Sequence, residues 1–94
     1  MNIPIVIQTL NELACWLECS KQNQDIIQKI IKELEMPNIN ELKLCQLRVK
    51  LSTKMLFNPK WLGDVYVPNF EGDGTPFAWS NYLSQVADIC QRNL

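Results

Sequence analysis

Along residues 3–17 the apolar positions Val6, Leu10, Leu13 and Leu17 recur at steps of three and four, with Ile7, Ala14 and Trp16 widening the stripe. That spacing predicts a first amphipathic helix. Pro4 fits it only in the opening turn, where a missing N–H leaves no intrahelical bond unmade. A second helix is predicted from a cap at Ser20 or Asn23, with Asp25 suited to its positive end and Ile26, Ile27, Ile30, Ile31 and Leu34 on one face. β-Branched residues lower the intrinsic helix propensity of this segment, so packing of the isoleucine face must supply much of its stability. Pro37 disfavours the helical conformation at Met36 and ends it.

Two periods compete in the next segment. Asn40 followed by Glu41 resembles a helix start, and Leu44, Leu47, Leu51 and Met55 keep helical spacing. Yet from Gln46 to Ser52 polar and apolar residues alternate strictly, which is the pattern of a half-buried strand. Helix is the preferred reading, because Leu44-Cys45 and Met55-Leu56-Phe57 restore the helical spacing and few strands exist for this one to pair with.

Residues 58–74 hold Asn58-Pro59, Gly63-Asp64, Pro68-Asn69 and Gly72-Asp73-Gly74, all turn signals, and read as a long connector. Asp64–Val67 could pair as a short strand that Pro68 stops. Thr75-Pro76 starts a last helix running toward Arg92, with Trp79, Leu83, Val86, Ala87 and Cys90 on one face and Gln85, Asp88, Gln91 and Arg92 wet. The prediction is an all-α fold: one domain over residues 1–94, a small bundle of about four amphipathic helices with an aromatic-rich connector before the last. The succession of short amphipathic helices resembles, in architecture alone, small helical adaptor modules of death-domain type.

Composition narrows the classes of function. At 94 residues, 47% hydrophobic and 20% charged, the chain suits one modest core and neither a disordered tail nor a fibre. A core of this size gives marginal stability, so assembly with a protein partner or a second copy has a thermodynamic role. The net charge of −1 supplies no overall attraction to polyanions or acidic membranes. The charge is nevertheless uneven: between Leu42 and Leu62 stand Lys43, Arg48, Lys50, Lys54 and Lys60 without an acid, whereas the flanking stretches are each acidic. The apolar Met1–Ile7 has no basic residue before it, and no apolar run reaches the roughly 18–20 residues of a membrane span, which predicts a cytoplasmic chain. Cys15, Cys19, Cys45 and Cys90 are then expected to be free thiols, mostly buried.

Candidate chemistry is sparse. Cys15 and Cys19, four apart, could offer two metal ligands from one helix face, but no His and no Cys-x-x-Cys completes a site, so packed thiols are the better reading and no metal is predicted. Without His the commonest general base is missing; Glu33 with Glu35 do not share a helix face, and no phosphate loop or nucleophile elbow is present. The loop Glu71-Gly72-Asp73-Gly74 is too short of oxygen ligands for a calcium site. The chain therefore reads as a non-enzyme with no cofactor and no small-molecule substrate.

The aromatic residues decide the rest. Phe57, Trp61, Tyr66, Phe70, Phe77, Trp79 and Tyr82 crowd into one stretch, too irregular for helix packing to explain them all. Some must seal the core and others are expected to face outward, where aromatics and basic residues anchor protein interfaces. The leading expectation is a protein-interaction module, an adaptor, regulator or complex subunit, docking through Trp61, Tyr66, Phe70, Lys50, Lys54 and Lys60. The alternative is a nucleic-acid-binding regulator that uses Lys43, Arg48, Lys50, Lys54 and Lys60 to neutralise phosphates.

Overall fold

The structure is a computed structural model, and it describes residues 2–58, 60–65, 67 and 76–94, with the side chains of residues 76 and 77 outside the described set. Its architecture is all-helical: α1 (Ile3–Trp16), α2 (Lys21–Leu34), α3 (Glu41–Lys50) and α4 (Pro76–Asn93), with short 3₁₀ turns at Leu17–Cys19 and Leu62–Asp64. The bundle is elongated, with extents of 40 × 21 × 20 Å.

Local chemistry sets the helix ends. The Asn2 side chain caps α1 by accepting from Ile5 N, and Pro4 sits in the first turn, as its missing N–H requires. At the other end the Leu17 N–H reaches back to the Ala14 and Leu13 carbonyls, tightening the chain into 3₁₀ geometry before Ser20 opens α2. Ser20 takes the cap position through its backbone; its hydroxyl accepts from Asn23 Nδ2 at 2.9 Å and bonds no helix amide. The buried Gln24 joins the two helices by donating from Nε2 to the Ala14 carbonyl at 2.8 Å, which satisfies a polar side chain inside the core.

The core is built from one stripe per helix. Val6, Leu10, Leu13 and Ala14 of α1, Leu17, and Ile27, Ile30, Ile31 and Leu34 of α2 are buried, whereas Ile26 lies at the edge of the stripe and is only half-buried. All five residues expected on the inner face of α4, Trp79, Leu83, Val86, Ala87 and Cys90, are buried. α1 packs chiefly on α2 and then on α4, and the Leu62–Asp64 turn sits on α4. α3 is peripheral: it contributes Leu44 and Leu47 to the core, but no pair that includes it is among the closely packed ones.

Four expectations need correction. α3 ends at Lys50 and does not run on toward Met55; Leu51, Leu56 and Phe57 reach the core from a turn. The Ser52 hydroxyl takes the Val49 carbonyl at 2.7 Å, and the Gln91 side chain of α4 takes the Arg48 and Leu51 carbonyls at 2.7 and 2.9 Å, so groups outside the helix satisfy its C-terminus. Gln91, expected in solvent, is thus half-buried. Of the four cysteines only Cys90 is buried; Cys15, Cys19 and Cys45 are exposed, because each occupies a solvent face of its helix or turn. No strand occurs among the described residues: Asp64 closes a 3₁₀ turn, and Tyr66 of the expected short strand lies outside the described residues, as does the Thr75 cap. No described helix is long and apolar enough to cross a membrane.

Candidate docking surface

The turn after α3 is held from inside. Leu56 N donates to the Lys50 carbonyl at 3.1 Å and Leu62 N to the Leu56 carbonyl at 3.3 Å, with Leu56 and Leu62 buried. The indole Nε1 of Trp79 donates to the Leu62 carbonyl at 2.8 Å, so α4 fixes the same point from the opposite side. Asn58 organises the outer bend: its Oδ1 accepts from Lys60 N at 2.8 Å and its carbonyl from Trp61 N at 2.9 Å.

Residues between these anchors are turned outward. Trp61 is 44% exposed whereas Trp79 is 3% exposed, so the aromatic-rich stretch divides into a core plug, including Phe57 and Trp79, and a surface indole. Lys50, Lys54 and Lys60 are exposed in the same turn system, together with Met55. Tyr66 and Phe70, the other two aromatics expected on this surface, lie outside the described residues.

The basic set does not form one line of charge. Lys43 Nζ pairs with Glu33 Oε1 at 3.1 Å, which ties α3 to α2 and removes one cation from the segment. Among the described residues Arg48, Lys50, Lys54 and Lys60 have no acidic partner, but at 100° per residue Arg48 and Lys50 point to opposite flanks of α3. α3 also leaves Leu42 and Val49 exposed, two apolar side chains that the expected stripe Leu44, Leu47, Leu51 did not include.

Titratable groups with displaced protonation lie away from this surface. Burial pushes the Cys90 thiol up to about 12, which keeps it protonated and unreactive. Burial first, then the charges of Glu12 and Cys15, raises the Tyr82 hydroxyl above its ordinary value, and its ring packs on Trp79 at 5.6 Å. Among the described residues no three His, Cys, Asp or Glu side chains gather as a metal site. Small grooves occur beside Glu41, Cys45, Arg48 and Leu94 (about 180 Å³) and between the Ser52–Lys54 turn and Ser84, Asp88 and Gln91 (about 340 Å³).

Comparison with known protein families, with curated proteins and with solved structures finds no match, and the architectural likeness to death-domain modules has no support from it.

Proposed function

We propose that the chain is a non-enzymatic protein-interaction module of the cytoplasm, a small adaptor, regulator or complex subunit, whose partner contacts Trp61 with Lys50, Lys54 and Lys60. The observation that carries this reading is the nearly half-exposed indole of Trp61 on a turn whose neighbours are pinned to the core. A fixed aromatic beside cations is the kind of anchor that interface hot spots use, because little side-chain entropy is lost when it docks. Tyr66 and Phe70 belong to the proposed surface by their place in the chain. The second reading, a nucleic-acid-binding regulator using Lys43, Arg48, Lys50, Lys54 and Lys60, draws on the exposed cations but loses Lys43 to its ion pair with Glu33.

The test compares the intact chain with its Trp61→Ala variant. Retention of a partner or of a larger assembly mass that resists salt and is lost in Trp61→Ala supports docking. Retention on heparin or duplex DNA that falls steeply with salt, unaffected by Trp61→Ala, favours the nucleic-acid reading instead.

A further inference from the structure

α3 carries apolar side chains on two opposite faces. Leu44 and Leu47 point into the core, while Leu42, Cys45 and Val49 fall within about 60° of arc on the other side of the axis. Leu42 is 69% exposed and Val49 63%, the thiol of Cys45 between them is exposed as well, and no other described helix packs closely on this face. Leu42, Cys45 and Val49 stand at i, i+3 and i+7, the spacing with which one helix meets another, and span about 10 Å. An exposed Leu alone needs no explanation; two β- or γ-branched side chains in register on a helix with a full inner stripe do.

The charge around the stripe states what would cover it. Arg48 flanks it on one side and Lys50 on the other, both in the last turn, exposed and without an acidic partner among the described residues. Glu41 stands at the opposite end, in the first turn. A second copy of the chain is the poorer complement: antiparallel pairing of two α3 helices would match the apolar stripes but set one acid, Glu41, against two cations, Arg48 and Lys50, at each end, and α1 has only Ile5 as an exposed large apolar residue.

We propose that the outer face of α3 is a docking surface for an acidic amphipathic helix of another protein, which lays an apolar stripe along Leu42, Cys45 and Val49 and sets carboxylates against Arg48 and Lys50. The proposal rests on the reading of the chain as a docking module and names the class of its partner. Acids cluster in the first turn of helices, so a partner with its N-terminal end over Arg48 and Lys50 runs antiparallel to α3 and also opposes the two helix dipoles favourably.

The test uses an 18-residue helical peptide with Leu at i, i+3 and i+7 and Glu on both flanks, titrated into the isotope-labelled full chain. The same peptide with Lys in place of Glu, and a short DNA duplex, are the comparison probes. The expected result is amide shift changes over residues 42–50, with the lysine peptide about tenfold weaker at low salt and the gap closing as salt rises. Leu42→Glu with Val49→Glu should abolish these shifts with an unchanged thermal melt, since both side chains are already in water. Equal binding of the two peptides, or none by either, overturns the proposal. Shifts confined to Trp61 and its neighbours overturn this face while leaving the docking module standing, and shifts over residues 42–50 with DNA alone overturn both in favour of nucleic acid.

Discussion

Replacing Trp79 by Phe should weaken the fold far more than replacing Trp61 by Ala, although the second change removes more atoms. Trp79 is 3% exposed and its indole N–H satisfies the Leu62 carbonyl at 2.8 Å in a buried setting. Phe keeps most of the ring but not the donor. The Leu62 carbonyl keeps its second bond, from Val65 N, so the change removes one hydrogen bond at a cost of about 1 kcal/mol, and the volume lost between indole and phenyl adds about 1 kcal/mol. Against a total stability of about 5–15 kcal/mol for a domain, a loss of about 2 kcal/mol is large. It corresponds to a fall of about 8–16 °C in Tm at this chain length. Trp61, 44% exposed, should shift the melt by less than about 3 °C when truncated, as surface changes usually do. Far-UV circular dichroism melts of the two variants provide the comparison. Hydrogen exchange adds a local check: without the indole bond the Leu62–Asp64 turn loses a tie to α4, so the Val65 amide, which closes that turn, should lose protection in Trp79→Phe. A Trp79→Phe melt within about 3 °C of the parent would refute the buried anchor, and a Trp61→Ala melt as low as that expected for Trp79→Phe would place the indole in the core and remove the exposed anchor from the proposed docking surface.

Gln91→Ala removes both side-chain bonds to the Arg48 and Leu51 carbonyls and should cost about 1–2 kcal/mol, a loss held down because water can reach the carbonyls at the rim; hydrogen exchange should localise the loss to the last turn of α3, and a uniform loss or none would contradict the cap. Alkylation without reductant should modify Cys15, Cys19 and Cys45 in the folded chain and Cys90 only on unfolding, read by intact mass; rapid fourfold labelling of the native chain would contradict the buried thiol. Above pH 9 the unfolded Cys90 thiol ionises while the folded one, raised to about 12, stays protonated. The native state then holds the extra proton, so stability present below pH 9 declines toward pH 12, by at most about 1.4 kcal/mol per pH unit from this group. The raised Tyr82 hydroxyl acts in the same direction above its ordinary value of 10.0, so Cys90→Ala should flatten the decline in Tm without abolishing it.

Where the fold was legible, local spacing and burial agreed. Val6, Leu10, Leu13 and Leu17 recur with the helical period and are all fully buried, and the inner face of α4 follows from the same rule. Asn40 and Pro4 act within one turn of themselves, so their roles at helix starts are readable from neighbours alone. What escaped was set by distant residues. The end of α3 depends on Gln91, forty residues away, whose amide competes with continuation of the helix, and no window of neighbours contains that information. Likewise the burial of Trp79 goes with a bond to the Leu62 carbonyl, seventeen residues away, while Trp61 beside that carbonyl stays exposed, and neighbours alone do not distinguish the two indoles. The thiols show the reverse limit: Cys is a residue type usually buried, but its place on the helix overrides its type, and Cys15 and Cys45 fall on outer faces.

The strand-like alternation from Gln46 to Ser52 has a physical cause in the helix itself. Within that run Leu47 and Leu51 are buried, and the apolar residue between them that completes the two-residue period is Val49, which lies 63% exposed. A helix with one buried face would carry a polar residue there, and the alternation would vanish. The conflict between periods therefore arises because α3 bears a second apolar face that no other described helix covers. A β-branched residue also lowers helix propensity at an exposed position, so Val49 contributes nothing to α3 that Gln or Lys would not contribute better. Folding gives no reason for it to be there; a surface that meets another helix does.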